Sequence, residues 1–546
     1  MIPKKESLTV EFKSDIRKLQ DSEIFEAVVA FANTDGGDIY LGVENDGSIT
    51  GVHKSHNNPV TLGAYIANNT VPPISIRTEL LDDEKPVLKI SVPKSYGGIT
   101  ATASGKILRR RIMLDGQPEN IPMYPTELST RLSSLRLLDY SAMHVDESSI
   151  KDFDPLETER LRKTILAYEG DRLLLELPDE DLYRALGFIK TIEGRLVPTI
   201  TGLLMIGRKS SIETHIPTHM VSFQVLEGTN VKMNEDIIQP LLAVFDTLNI
   251  YLDARNPERE LEIGMYRMSI PDFNKRAVRE AMVNAFCHRD YARLGRVRVS
   301  IADEGLTVAN PGGFVEGVTA NNLLTAEPYG RNPLLADALK RVGLAERTGR
   351  GIDRIYEGSL IYGRLPPDYS ASTTTTVSLF IPRSAPEPRF SEIISNAQIK
   401  LGRPLPVNTL LVLNLLKDIS VCSVKQLSAK TCLSDILVST ILENTIKLGI
   451  VEARANGKDK KYALSRGKLN GGESPMESNK QNGANRQQYI ELILNLASSR
   501  AFISRDDVKN LLCINGPYAY RLLKKLTDEG KLESVNKGRH SKYRLI

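Results

Sequence analysis

At 546 residues, the chain is too long for a single hydrophobic core, and its length predicts roughly three to five folding units. With 41% hydrophobic and 25% charged residues, it has the composition of a soluble globular protein. It has neither a run long enough to span a membrane nor the apolar core of a signal peptide, so a cytoplasmic protein without a membrane partner is expected. The net charge is only +4. Four scattered cysteines argue against a disulfide framework or a Cys-x-x-Cys zinc site.

A short strand pattern opens residues 1–135 and carries acidic and basic side chains. Strand periodicity places Glu11 and Lys13 on one face, with Phe12 pointing into the core. A carboxylate beside an ammonium group is the arrangement that metal-dependent nucleases use, although it is also common on solvated strand faces. A helix from Ser22 to Asn33 and a buried strand follow, and the strand leads into a turn at residues 45–47.

These segments together resemble a known domain. The succession Glu6, Glu11-Phe-Lys13, Ala32-Asn-Thr-Asp-Gly-Gly37 and Leu41-Gly-Val43 is similar to the Schlafen Alba-like domain over roughly 130 residues. The resemblance implies either a DNA-binding module or a nuclease. In the nuclease, Glu6 and Glu11 would be catalytic and would hold Mg²⁺ or Mn²⁺, beside Lys13. The third acid would be Asp46, with Glu44 as the next choice.

Positive charge collects at Arg109, Arg110 and Arg111. Such a cluster is typical of contacts with a phosphate backbone, and it is equally compatible with an ordinary solvated strand face. These three arginines are therefore candidate nucleic-acid-binding residues.

The stretch from Arg279 to Tyr356 carries three phosphate-handling signals in order. Glu280 and Asn284 are four residues apart on a helical pattern, so they share a face on which a carboxylate can orient water and an amide oxygen can ligate Mg²⁺. After a strand pair come Gly312 and Gly313, whose missing Cβ atoms would let the backbone approach a ligand. A turn with Gly349 and Gly351 then opens a helix, whose N-terminal amides can hold phosphate.

The ordered set resembles the N box and two Gly boxes of the Bergerat-fold (GHKL) ATPases. It is closest to a divergent form, with His-Arg-Asp-Tyr and Asn-Pro-Gly-Gly, found beside Schlafen-type domains in prokaryotic helicase-related regulators. The likeness covers residues 150–383, including an apolar run from Ile200 to Arg208 interpreted as a strand. It implies ATP and Mg²⁺ as cofactors. Asn310 stands where these ATPases usually carry the adenine-reading aspartate.

Two further observations bear on this region. Arg331 and Lys340, on a predicted helix, could reach a γ-phosphate, although a solvated face also accounts for both. No Gly-x-x-x-x-Gly-Lys-[Ser/Thr] motif occurs, which excludes a P-loop helicase motor.

The last part of the chain shows the order helix, helix, helix, two-stranded wing twice, at residues 400–466 and 487–546, around a flexible linker at 467–486. This order predicts two winged helix-turn-helix domains. In the second copy, the third helix and the wing carry the candidate DNA contacts Tyr518, Arg521, Lys524, Lys525, Arg539, Lys542 and Arg544.

The sequence thus predicts an α/β (α+β) multidomain protein with a Schlafen Alba-like domain, a Bergerat-like sandwich and two winged helices. The first functional hypothesis is an ATP-binding and DNA-binding transcriptional regulator, in which the nucleotide gates nucleic-acid binding. The alternative is a metal-dependent nuclease of the Schlafen type that cuts RNA or DNA as an effector, for example in anti-phage defence. By analogy with GHKL-type and winged-helix proteins, which often work in pairs, a homo-oligomer is expected.

Overall fold

The computed structural model describes residues 2–81, 85–263, 266–327, 329–346, 349–419, 421–456, 459–465, 490, 493–494, 496–498, 502–512, 516–535 and 541–545. These residues form two compact units, Met1–Ala463 and Leu464–Ile546. The architecture is mixed α/β, as the sequence predicts. The predicted linker at 467–486 lies outside the described residues.

The first unit begins with a small sheet covered by a helix. Its strands and helices are β1 Val10–Lys13, α1 Asp21–Ala32, β2 Gly37–Leu41, α2 Pro59–Asn68, β3 Thr70–Val71, β4 Arg77–Leu81, β5 Val87–Val92, β6 Ala101–Thr102, β7 Leu108–Ile112, β8 Pro118–Pro122 and α3 Pro125–Ser134. The sheet order is β1-β2-β5-β4, with β1 and β2 parallel and the other pairs antiparallel. Both α1 and β2 lie where the sequence predicts a helix and a buried strand.

A buried ion pair ties the β7–β8 hairpin to the edge strand β1. The Arg110 guanidinium donates to the Glu11 carboxylate at 2.7 Å, and the two side chains are only 1% and 6% exposed. Asn120 and Lys13 also contact this carboxylate, each at 3.0 Å. The remaining Arg110 nitrogens donate to backbone carbonyls of the β1 segment. Arg110 is therefore a structural residue, and the prediction that it contacts phosphate is not supported by its position.

The middle of the first unit is an α/β sandwich. Three short 3-10 helices occur, at Tyr140–Ala142, Ile150–Asp152 and Arg172–Glu176. The other elements are α4 Pro155–Ala167, α5 Asp179–Ala185, β9 Ile189–Ile192, β10 Arg195–Pro198, α6 Ile200–Ile206, α7 Lys209–His215, β11 Val221–Glu227, β12 Asn230–Ile237, α8 Leu241–Asp253, β13 Glu258–Ile263, β14 Tyr266–Pro271, α9 Lys275–His288, β15 Val297–Ile301, β16 Gly305–Pro311, α10 Pro333–Val342, α11 Gly351–Leu360 and β17 Thr376–Pro382.

A five-stranded sheet organises this sandwich, in the order β12-β11-β15-β16-β17. Strands β11 and β15 are parallel, and the other neighbours are antiparallel. Phe223 and Val299 on the sheet and Phe245 and Met282 on the helices are buried in one hydrophobic core. That core fixes α9 against the sheet, which positions the residues discussed below.

One secondary-structure prediction is wrong. The apolar run from Ile200 was interpreted as a strand, but Ile200–Ile206 is the helix α6, and all its residues are buried. A short run that is apolar at every position has no period, so it cannot distinguish a buried helix from a buried strand. The Thr199 side chain decides the outcome locally, because it accepts a hydrogen bond from Gly202 N as an N-cap.

The first unit ends with a helical segment and a hairpin: α12 Pro388–Leu401, α13 Val407–Asp418, α14 Val424–Thr431, α15 Asp435–Lys447, β18 Val451–Asn456 and β19 Asp459–Leu464. The second unit contains β20 Ile503–Ser504, α16 Arg505–Leu512, α17 Gly516–Asp528, β21 Leu532–Ser534 and β22 Lys542–Leu545, with the sheet order β20-β22-β21. In the first segment, α13, α14, α15, β18 and β19 follow the predicted order of three helices and two strands, with the additional helix α12 before them. In the second unit, α16, α17, β21 and β22 match two predicted helices and the wing, while most of the predicted helix at 487–497 lies outside the described residues. The assignment of both segments as winged helices stays a prediction.

The buried pair in the first domain makes one test possible. We expect Arg110→Ala to destabilise the β1 and β7 region by about 3–5 kcal/mol, because Glu11 loses its principal counter-charge in a buried site. Arg111→Ala is the matched control, since Arg111 is exposed on the same strand, and it should change stability by no more than about 0.5 kcal/mol. Hydrogen exchange of the β1 amides measures both. Equal exchange in the two variants would contradict the structural role of the pair.

Candidate functional site

A cavity of about 280 Å³ lies between α9, the ends of β16 and β17, and the residues that lead into α11. Three separate segments contribute the predicted residues that line it: Glu280, Asn284, Asn310, Gly313, Gly349 and Gly351. Gly312 is not among the lining residues. The structure therefore brings together six of the seven residues predicted to bind the nucleotide.

Glu280 and Asn284 lie one turn apart on α9, as their spacing requires. Glu280 is only 3% exposed, and burial raises the pKa of its carboxyl group to about 7. The Asn284 Nδ2 atom is buried and has no hydrogen-bond partner among the described residues. A buried amide group without a hydrogen-bond partner and a neighbouring carboxyl group with a pKa near 7 both lower the stability of the folded chain when no ligand is bound. Such groups are typical of a ligand site.

Gly351 is the first residue of α11 and lies directly against this pair. A Cβ atom at this position would lie 3.0 Å from Glu280 Oε2 and 3.5 Å from Asn284 Nδ2. The absence of a side chain therefore keeps open the space between the α9 residues and the N-terminal amides of α11. Those amides carry the partial positive charge of the helix dipole.

Gly312 and Gly313 are required for a different reason from the predicted one. A Cβ on Gly313 would lie 2.5 Å from the Thr374 carbonyl oxygen, and one on Gly312 would lie 2.9 Å from Asp290 Cβ. Both glycines allow close packing against the protein itself. The expectation that their missing Cβ atoms admit a ligand is not supported, although Gly313 does line the cavity.

The cavity is also lined by residues outside the predicted set of seven nucleotide-binding residues. His288 lines the cavity, and burial together with the nearby Arg331 lowers its pKa to about 4, so the ring is neutral at physiological pH. Lys340, predicted as one possible γ-phosphate contact, also lines the cavity. Phe314 and Tyr369 add aromatic surface. The His-Arg-Asp-Tyr motif was a signal for His288, but no spacing rule could place Phe314 or Tyr369.

Arg331 is not placed to meet a phosphate. It is 2% exposed, and its guanidinium donates to the Gly313 carbonyl and to Ser134 Oγ, each at 3.1 Å. The alternative weighed for Arg331, a solvated helix face, is wrong as well, because the side chain is buried between α3 and the glycine turn.

The donor set of the cavity fits ATP with Mg²⁺. The Asn284 Nδ2–H group, which has no hydrogen-bond partner among the described residues, and the N-terminal amides of α11 can donate to phosphate oxygens. The amide oxygen of Asn284 is a ligand that Mg²⁺ accepts. Val308, Val315, Val377 and Leu379 give an apolar wall of the kind that accommodates a base. Polar groups at one end and an apolar wall at the other are what a nucleotide requires.

The acidic residues predicted for the nuclease each have their own partner. Glu6 Oε1 accepts from Phe12 N at 2.7 Å, and Asp46 Oδ1 accepts from Ser48 N at 2.9 Å in an exposed turn. The next choice, Glu44, accepts from Thr50 Oγ1 at 2.6 Å. Within the described ranges, no three His, Cys, Asp or Glu residues are grouped so that they could hold a metal ion.

The basic residues predicted to contact nucleic acid differ in their availability. Arg109 pairs with Glu127 at 2.5 Å, and Arg111 is exposed. In the second unit, Lys525 pairs with Glu529 at 3.3 Å and Arg544 with Glu533 at 2.7 Å.

Three other candidates, Arg521, Lys524 and Lys542, are exposed on α17 and β22. The Tyr518 side chain and Arg539 lie outside the described residues. In the described part of the chain, no helix is both long and apolar enough to cross a membrane.

Three family models match parts of the chain. The model for Schlafen, AlbA_2 matches residues 6–112, a domain of unknown function (DUF8451) matches 133–222, and the putative ATP-dependent DNA helicase recG C-terminal model matches 295–380. The third match includes Asn310, Gly312 and Gly313 but begins after α9, so it does not include Glu280 or Asn284. The search of curated proteins gives no significant match.

Two solved structures are similar to the chain. The DIP2311 protein from Corynebacterium diphtheriae is 20% identical with a TM-score of 0.50, over 99% of this chain and 95% of its own, which shows the fold alone. The hypothetical protein PyrSV_gp04 from Pyrobaculum spherical virus is 19% identical with a TM-score of 0.16, over 25% of this chain and 93% of its own, and this likeness carries no argument.

The two named domain models agree with the two resemblances found from sequence motifs. Both domain types point to a nucleic-acid-related ATPase function. The chain therefore carries a Schlafen AlbA_2 domain followed by an ATPase-like domain of the recG carboxy-terminal type.

Proposed function

We propose that the protein is an ATP-binding and DNA-binding regulator in which the nucleotide gates nucleic-acid binding. The observation that carries the proposal is the single cavity at which residues of α9, the glycine turn after β16 and the start of α11 meet. In the sequence these segments are separated by about 20 to 40 residues, so their meeting is a property of the fold.

In this proposal, Asn284 ligates Mg²⁺ through its amide oxygen, and the first amides of α11 bind the phosphates. Mg²⁺ neutralises phosphate charge when it is bound. Lys340 supplies a positive charge in the cavity, and the apolar wall of Val308 and Val377 contacts the base. Glu280, with its pKa near 7, is the candidate to orient water if the nucleotide is hydrolysed.

The contacts of α3 supply a physical basis for gating towards the AlbA_2 domain. Thr130 Oγ1 donates to Asp290 Oδ2 at 2.6 Å, and Arg131 pairs with Glu316 at 2.5 Å. Arg331 joins Ser134 to the Gly313 carbonyl at the cavity wall. Any rearrangement of the glycine turn around a nucleotide must therefore move or break bonds to α3.

A second set of contacts connects the cavity to the helical segment that follows. The N-terminus of α11 lies at the cavity, and its last residue, Leu360, accepts a hydrogen bond from Asn414 Nδ2 of α13 at 3.1 Å. Lys417 of α13 donates to the Gly363 carbonyl at 2.6 Å. One helix therefore connects the proposed phosphate site to the first of the two predicted winged helices.

The nuclease alternative receives less support from the geometry. Glu11 is neutralised by Arg110 and Lys13, and Glu6 is used by a backbone amide. A carboxylate with its negative charge already compensated is a weak ligand for a divalent cation. We therefore retain the binding function as the proposal for the AlbA_2 domain.

Calorimetry with ATP and Mg²⁺ tests the proposal directly. We expect the wild-type chain to bind ATP and Asn284→Ala to bind it at least roughly tenfold more weakly, about 1.4 kcal/mol, because the metal loses an oxygen ligand. Asn230→Ala, an exposed strand position outside the cavity, is the control and should bind as the wild type does. A wild-type chain that gives no heat with ATP, ADP or their analogues would refute the proposal.

The raised pKa of Glu280 gives a prediction about stability. The folded pKa is about 7 and the reference value is 4.5, so between these pH values the native state keeps a proton that the unfolded chain has lost. Native stability therefore falls as pH rises through this window, by on the order of 3 kcal/mol in total. Because glutamine does not titrate, Glu280→Gln should be more stable relative to wild type at pH 8 than at pH 5.

Thermal unfolding of both proteins at the two pH values measures this difference. Glu304→Gln removes an exposed carboxylate and should show no such pH dependence of its effect. If the melting temperature of Glu280→Gln follows that of the wild type equally at pH 5 and pH 8, the carboxyl group is not protonated near neutrality.

DNA binding by the second unit is tested on its exposed lysines. Lys524→Ala with Lys542→Ala should weaken duplex binding in fluorescence anisotropy and reduce the slope of log K against log salt by about 2, one for each lost phosphate contact. Lys163→Ala with Lys209→Ala removes the same charge from exposed positions of the first unit. Titrations with and without Mg²⁺ and ATP measure whether the nucleotide changes the affinity for DNA. Identical affinities in both conditions would contradict nucleotide gating.

A further inference from the structure

A groove of about 590 Å³ lies on the face of the five-stranded sheet opposite the cavity. Its lining includes Ser222, Gln224, Arg293, Arg296, Arg298 and Thr376. Along β16, Val308 lines only the cavity and Ala309 and Pro311 line only the groove, while Asn310 lines both. The groove is therefore a second surface, which adjoins the cavity at Asn310.

Strand alternation puts the charged residues on this face. Val297, Val299 and Ile301 of β15 point into the core, so Arg298 points to the other side. In the register of the sheet, Arg298 pairs with Ser222 of β11 on one side and with Ala309 of β16 on the other. The small neighbours leave room beside the arginine.

The charges of the groove are only partly compensated within the protein. Arg296 pairs with Asp236 at 2.5 Å. The described residues provide no ion-pair partner for Arg293 or Arg298. Ser222 is fully buried at the floor of the groove, and its Oγ has no hydrogen-bond partner among the described residues. Two uncompensated guanidinium groups and a buried hydroxyl without a partner are suited to an anion.

The His-Arg-Asp-Tyr motif, which has no role in the cavity beyond His288, holds the loop that carries these arginines. The Arg289 side chain is fully buried and donates to the carbonyl oxygens of Gly295, at 2.8 Å, and Thr218. Asp290 N donates to the Pro311 carbonyl at 2.9 Å, and its own carbonyl accepts from Arg293 N at 3.2 Å. The loop is thus fixed to β16 and to the segment before β11.

The tip of this loop favours a nucleic acid over a small free anion. Leu294 lies between Arg293 and Arg296 in the sequence, and 87% of its surface is exposed. An apolar side chain flanked by arginines can contact a base or sugar while the guanidinium groups bind the neighbouring phosphates. A free phosphate or nucleotide would leave this leucine without a contact.

We propose that this groove binds the sugar-phosphate backbone of a nucleic-acid strand through Arg293 and Arg298. Leu294 contacts the adjacent base or sugar. The ATPase-like domain then contributes its own nucleic-acid contact, in addition to those of the AlbA_2 domain and the second unit.

Anisotropy with fluorescein-labelled single-stranded and duplex 20-mers tests the proposal on the full chain. We expect Arg293→Ala with Arg298→Ala to weaken binding at least roughly tenfold and to reduce the salt slope by about 2. The matched control is Arg172→Ala with Arg195→Ala, which removes two exposed arginines of the first unit outside the groove. Repeating the comparison in the Lys524→Ala/Lys542→Ala background prevents the second unit from masking the effect.

The outcomes are separable. Equal affinities of the groove and control variants, at equal melting temperatures, would overturn the proposal. It would also be overturned if inorganic phosphate or ATP alone binds at the groove arginines while the oligonucleotides do not distinguish the variants. A weaker Leu294→Ala variant with an unchanged salt slope would support the base or sugar contact. ATP calorimetry on the same proteins reports the cavity separately, so a failed nucleotide proposal leaves this result interpretable.

Discussion

The buried guanidinium of Arg331 is the constraint on which the arrangement of the first unit depends. A buried positive charge is tolerated only where fixed dipoles replace water, and here the Thr130 and Gly313 carbonyls and Ser134 Oγ do so. Burial lowers the pKa of this arginine, which reflects the cost of its charge. Because the partners come from α3 and from the glycine turn, α3 and the wall of the cavity must be in place together. The side chain thus holds α3, which follows the AlbA_2 domain in the chain, against the wall of the cavity.

Local sequence patterns predicted much of the fold and part of the site. The i, i+4 spacing of Glu280 and Asn284 was sufficient to place them on one face, because the geometry of a helix is independent of its surroundings. The Gly-rich turn before α11 likewise carries its own conformational signal. The convergence of these elements on one cavity needed the tertiary structure, since the sheet register that joins them is absent from any local pattern.

The sequence predictions that the structure does not support share one physical cause. Residue type alone does not determine whether a side chain is buried. Arginine is a residue type usually found at the surface, but Arg110 and Arg331 are buried against carboxylate or carbonyl oxygens. The Ile200–Ile206 run has no periodicity, so its helical conformation depends on the Thr199 N-cap and on packing. The missing Cβ atoms of Gly312 and Gly313 accommodate backbone and side-chain atoms of the protein itself, which the sequence alone could not show.

The length of helix α11 sets the distance between the cavity and the helical segment that follows. Its ten residues span about 15 Å. The end at the cavity carries partial positive charge, and the far end is fastened to α13 through the Leu360 carbonyl. Between its ends the helix also packs along α9, because a Cβ atom on Gly358 would lie 2.7 Å from Ala277 Cβ and 2.9 Å from Asn274 Cβ. A nucleotide that attracts the N-terminus of α11 would therefore act on a helix joined to both α9 and α13, and a displacement of α11 would be shared with both neighbours.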